Sequence, residues 1–147
     1  DRPRGGTRAM REAAMDGVTR PDGSRPLVIA VTQLTSTSEE RMRSELLIDA
    51  GMQETVLHYA ENAIDAGLDG VVCSPLEAEA IHQRCGEMFL TVTPGIRFAD
   101  GEVGDQGRIM TPDKAKANSD YIVVGRPITA ADDPVAAWRR CVREFVD

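Results

Sequence analysis

Tyr121-Ile122-Val123-Val124-Gly125-Arg126-Pro127 is a short apolar run that stops at a glycine, an arginine and a proline. Four apolar residues, two of them β-branched valines, suit a strand covered on both faces, as in parallel sheets. The Gly-Arg-Pro stop puts adaptable backbone and a permanent cation at its C-terminal tip. In (β/α) barrels such tips carry the active site, and the loops after the last two strands commonly bind phosphate. The run before it, Phe89 to Thr93, opens into a second polar, glycine-rich loop. That loop, Thr93-Pro94-Gly95-Ile96-Arg97 through Gly104-Asp105-Gln106, brings another arginine and an amide. Two such neighbouring tips predict a phosphate clamp, because a guanidinium fork matches a phosphate oxygen pair.

Outward from this point the chain alternates strand and helix signals. Leu27 to Thr32 is a β-branched run bounded by Pro26 and the polar stretch Gln33 to Glu40. Met52, Val56, Tyr59, Ala60, Ala63 and Ile64 recur at helical spacing, and Gly67 followed by Leu68 has the form of a helix stop. Asp69 to Cys73 is a strand. Ser74-Pro75-Leu76-Glu77 then forms a capping box, which predicts a helix from Pro75 to Arg84. Thr111-Pro112 and Asp133-Pro134 repeat that punctuation and start two more helices. In the last one Val135, Trp138, Val142 and Phe145 share an apolar face. Gly5 to Gly17 reads as a further helix with Met10, Ala13, Ala14 and Met15 inward. After it the order is β-α-β-α-β-loop-α-β-α.

Four strands and about five helices over one domain, residues 1–147, amount to the second half of a (β/α)8 barrel, which needs eight strands and about 250 residues. A small open doubly wound sheet is the structural alternative. The composition, 41% hydrophobic and 28% charged, suits a folded domain, and no stretch approaches the roughly 18 apolar residues of a membrane span. No signal peptide opens the chain, so a cytoplasmic location is expected. The net charge of −7 argues against general nucleic-acid binding, which uses a basic face. Three cysteines, Cys73, Cys85 and Cys141, lack metal-like spacing and read as idle thiols. His58 and His82 read as helix-face residues, Asp133 as a cap beside a solvated Asp132, and Trp138 as packing in the last helix.

Six blocks taken together resemble the C-terminal half of bacterial orotidine 5′-phosphate decarboxylases. They are Leu27 to Ser36 (LVIAVTQLTS), Leu68 to Ser74 (LDGVVCS), Leu90 to Arg97 (LTVTPGIR), Gly104-Asp105-Gln106, Met110-Thr111-Pro112 and Ile122 to Thr129 (IVVGRPIT). The likeness runs over about Gly5 to Phe145. It implies that Thr35 contacts the pyrimidine ring, that Arg97 and Gln106 lie on a loop closing over the phosphate, and that Gly125 and Arg126 form the fixed part of the phosphate site. Read alone, Thr35 would be a loop cap and Arg97 and Gln106 solvated loop residues.

The resemblance also implies loss of CO2 from orotidine 5′-phosphate to give UMP, with no metal or organic cofactor, in a homodimer of whole barrels. The family's catalytic Asp/Lys network lies on strands of the first half, and Asp1-Arg2-Pro3-Arg4 replaces the strand end expected before Gly5-Gly6. Lys114 and Lys116 sit on the short helix after Thr111, so no catalytic residue is assigned and the chain by itself is expected to be inactive. Two other readings remain open: a different phosphate-binding barrel enzyme, and a non-catalytic half-barrel that binds nucleotides or self-associates.

Overall fold

A computed structural model describes residues 7–101 and 108–147. Its centre is a four-stranded, fully parallel sheet in the order β1 (Ile29–Val31), β2 (Gly70–Val72), β3 (Leu90–Thr93), β4 (Tyr121–Ile122). Each strand lies beside its predecessor, with Ala30 opposite Val71, Val71 opposite Thr91 and Thr93 opposite Ile122. A doubly wound sheet reverses its strand order at a switch point. No reversal occurs here, so the open-sheet alternative is set aside and the winding is that of a barrel.

Seven helices surround the sheet among the described residues: α1 (Thr7–Val18), α2 (Glu39–Leu46), α3 (Met52–Asp65), α4 (Ala78–Cys85), α5 (Pro112–Ala115), α6 (Arg126–Thr129) and α7 (Pro134–Phe145). One of these, α6, goes beyond the sequence reading, in which the charged run Glu39 to Arg43 already marks an exposed helix start. α2 develops from the charged run after Ser38, whose side chain accepts the Arg41 N–H at 3.2 Å and caps it. α6 is a single turn that begins at Arg126 itself. The capping box is present in its reciprocal half: the Ser74 N–H donates to the Glu77 carboxylate at 2.8 Å. The helix proper nevertheless starts at Ala78, three residues after Pro75, because residues 75–77 first make a turn.

One layer of the sheet packs on α3 and α4. Val71 and Cys73 are fully buried against Val56, Ala60, Ala63, Ala78 and Ile81, with Met42 of α2 closing the cluster. Burial, helped by the nearby Glu77 carboxylate, pushes the Cys73 thiol up to about 12, so it is neither paired nor ionised at neutral pH. Gly70 permits the close strand spacing at the foot of this layer. A Cβ there would stand 2.3 Å from the Leu90 carbonyl oxygen and 2.7 Å from the Leu90 Cβ. Beside it Asp69 accepts two bonds from Arg25, at 2.8 and 3.1 Å, and one from the Val28 N–H at 2.7 Å. The Arg25 bonds hold its carboxyl below the usual range, so Asp69 ties the start of β1 to β2 as an ionised group.

The opposite layer is open. Val31 at 59% and Tyr121 at 55% exposure stand at its two ends, flanking Val72 and Val92. A closed barrel fills this interior with side chains. Neither β1 nor β4 pairs with a further strand among the described residues. The apolar faces of the outer helices are likewise half covered, which corrects two expectations. Met10 and Ala13 are exposed because α1 leans chiefly on α3. Trp138 is 56% exposed, since α7 docks on α5 and α6 through Cys141 while Val135 and Trp138 face outward. His82, read as a helix-face residue, does lie on α4, where it is 9% exposed and bonds Asp120 at 3.0 Å, and Asp120 also takes the Thr91 N–H and hydroxyl. That cluster sits at the N-terminal ends of β3 and β4, the end of a barrel concerned with stability.

Candidate functional site at the C-terminal rim

The loops after all four strands gather at the C-terminal end of the sheet. Thr35, in the loop after β1, is 7% exposed and lies against the loop after β3. Gly95 makes that contact possible. Its φ of +85° is a left-handed conformation, and a Cβ would meet the Arg108 carbonyl at 2.9 Å and the Thr35 methyl at 3.4 Å. Any side chain there would push the two loops apart.

Arg97 is held by a short ladder. Its N–H donates to the Met110 carbonyl at 3.0 Å, and the Met110 N–H donates to the Gly95 carbonyl at 3.2 Å. The residue is 8% exposed, and its guanidinium makes one hydrogen bond among the described residues, to the Ile96 carbonyl at 2.8 Å. No described carboxylate pairs with it. A buried arginine without a carboxylate is costly unless another anion compensates it. Arg126 enters from the tip of β4 as the first residue of α6, behind Gly125, whose φ of −93° and ψ of −105° place it outside helix and strand alike. Gln106 lies outside the described residues.

Arg97 and Arg126 line the same cavity, of about 860 Å³, together with Phe98, Pro127 and the α7 side chains Ala137, Arg140 and Arg143. Its volume falls within the range of small-molecule sites, roughly 300 to 1,000 Å³. The structure thus brings both arginines to one cavity, and puts Thr35 beside Gly95, two residues from Arg97. Lys114 is exposed on α5 and Lys116 is exposed just past its end, where its ammonium donates to the Val146 carbonyl at 3.4 Å.

Two site residues escape the sequence reading. Arg140 lies over the Phe98 ring, 4.3 Å from its centroid, and donates to Asp100 at 2.8 and 3.0 Å and to Glu144 at 2.7 Å. It thereby fixes the segment next to Arg97 onto α7. Arg108 donates to the buried Glu77 carboxylate and, through its other terminal nitrogen, to the carbonyls of Gln33 at 3.3 Å and Leu34 at 2.9 Å. Its own carbonyl accepts the Ser74 hydroxyl at 3.3 Å. Burial pushes the Glu77 carboxyl up, against the opposing pull of Arg108 and the Ser74 N–H. Apart from the i,i+4 pair Arg140–Glu144, no local sequence signal joins these partners: Arg108 and Glu77 are 31 residues apart and Arg140 and Asp100 are 40 apart.

A parallel sheet wound in sequence order, with its polar loops gathered at one rim, defines the class: this is a (β/α)-barrel protein. Within that class, residues 5–141 match the model of the orotidine 5′-phosphate decarboxylase / HUMPS family, and the chain belongs to that family. It is 56% identical over 145 residues to the orotidine 5′-phosphate decarboxylase of Geobacillus sp. (strain WCH70), covering 96% of this chain and 60% of the relative. The Bacillus caldolyticus enzyme of the same name is 55% identical over 144 residues, with 95% and 59% covered. Among solved structures, the orotidine 5′-phosphate decarboxylase of Lactobacillus acidophilus superposes with a TM-score of 0.78 at 44% identity, over 97% of this chain and 60% of that one. The chain therefore spans about 60% of the length of the relatives it matches. No helix among the described residues is long and apolar enough to cross a membrane.

Proposed function

We propose that this chain carries the substrate grip of an orotidine 5′-phosphate decarboxylase. In this reading Arg97, Gln106, Gly125 and Arg126 hold the 5′-phosphate and Thr35 contacts the pyrimidine ring. The observation that carries the reading is the shared cavity of Arg97 and Arg126, at the rim where barrels bind phosphate. Binding energy gathered at this non-reacting group closes a loop and organises the charges around the reacting carbon. There the bond from C6 to the carboxylate breaks, CO2 leaves, and the electron pair on C6 takes a proton from a lysine on strands beyond this half of the barrel. Neither a metal nor an organic cofactor takes part. The full-length protein is a cytoplasmic homodimer, and residues 1–147 form one structural unit within its barrel.

The loop Thr32 to Ser36 supports this substrate over a pentose phosphate, because that block resembles the pyrimidine-edge loop of the decarboxylases, and Thr35 lies against Gly95 of the loop that carries Arg97. The test is spectrophotometric. The full-length protein should convert orotidine 5′-phosphate to UMP without added metal and in the presence of a chelator. Turnover of a ketose phosphate with no activity on orotidine 5′-phosphate would overturn the proposal.

A further inference from the structure

Arg108 and Glu77 form a buried ion pair, with side chains 13% and 6% exposed, between the two loops that the proposed function assigns to substrate. Such pairs contribute little net stability, because desolvation of both charges offsets their attraction. The Arg108 Nε adds to that cost, being buried with no hydrogen-bond partner among the described residues. What the pair does supply is geometry. One terminal nitrogen is seated on Glu77, which is itself fixed by the Ser74 N–H at the tip of β2. The other reaches the Gln33 and Leu34 carbonyls, directly before Thr35. The backbone of Arg108 runs on through Met110 to the Arg97 N–H. A planar fork can serve both ends at once, whereas a lysine ammonium is a single point on a flexible stem.

We propose that Arg108, seated on Glu77, is a positioning residue that locks the loop after β1 to the returning end of the loop after β3, so that the Thr35 and Arg97 ends of the grip move as one body. This rests on the reading of those loops as the substrate grip. Arg108 touches no substrate in this account.

The test compares hydrogen exchange in the full-length protein with and without Arg108→Lys. The amides to follow are Thr37, which donates to the Leu34 carbonyl, and Arg97, which donates to the Met110 carbonyl. Both should exchange at least tenfold faster in the variant, while the Cys73 amide, bonded to the Val92 carbonyl in the sheet, stays unchanged. Acceleration at one loop only, or at neither, would overturn the strut. Glu77→Gln, which keeps an oxygen for the Ser74 N–H, carries the same readout if the lysine variant does not fold. Kinetics supply the functional arm: kcat/KM for orotidine 5′-phosphate should fall at least tenfold in Arg108→Lys, and turnover of phosphate-free orotidine no more than twofold. Equal losses on both substrates would mark Arg108 as merely structural. A wild-type protein inactive on orotidine 5′-phosphate would strike the proposed function, and the exchange result would still decide the strut.

Discussion

Replacing Arg126 by alanine in the full-length protein is expected to lower kcat/KM for orotidine 5′-phosphate by roughly a hundredfold. Hydrogen bonds between a guanidinium and a phosphate are charge-assisted, and removing the donor costs about 3 kcal/mol when two parallel bonds are lost. The position amplifies the effect. Arg126 is the first residue of α6, separated from the end of β4 by the three residues Val123 to Gly125, so its approach to the cavity is set by a short connection from the sheet rather than by a long loop. If phosphate binding also drives loop closure, part of the loss falls on kcat as well as on KM. Steady-state kinetics with and without 5′-phosphate on the substrate check this directly. A variant that loses as much activity on orotidine as on its 5′-phosphate would remove Arg126 from the phosphate site.

The largest stability effect is expected at the other end of the sheet. Gly70→Ala places a methyl 2.3 Å from the Leu90 carbonyl oxygen, and the obstacle is backbone in a paired strand rather than the end of a flexible side chain. Relief requires β2 and β3 to separate, in the strand pair that carries Val71 and Cys73 into the core. Overpacking of this kind costs about 3 kcal/mol or more where the surroundings cannot give. The urea midpoint of the full-length variant should drop accordingly, with the slope of the transition unchanged. A midpoint within error of the parent would show that β2 and β3 are not packed as described.

Much of this architecture is legible in the chain because the decisive signals are local. The Asp133 cap is visible in the dipeptide before the last helix, and its carboxylate does accept the Ala136 N–H at 3.0 Å. The short apolar runs before Ser74, Pro94 and Gly125 mark β2, β3 and β4, and their order alone discards the doubly wound sheet once pairing is known. What stays hidden depends on distant partners. Nothing in the sequence joins His82 to Asp120 or Arg108 to Leu34, since each bond is made by the fold that brings the segments together. The misplaced helix faces have a different cause. Apolar periodicity says which side of a helix wants cover, as Val135 and Trp138 do, but not whether a neighbour is there to supply it. Half-covered helices and an open sheet layer share one origin: the barrel interior is bounded by eight strands, and four are present among the described residues.

The central claim is that Arg97 and Arg126 act on one anion, and a double-mutant cycle on nucleotide affinity tests it most directly. Calorimetric Kd values for UMP would be measured in the full-length protein and in Arg97→Ala, Arg126→Ala and the double variant. Two groups gripping the same phosphate should show a coupling energy of about 1 kcal/mol or more, so that the double variant departs clearly from the sum of the singles. Losses that add to within about 0.5 kcal/mol would place the two guanidinium groups at separate sites and contradict the account.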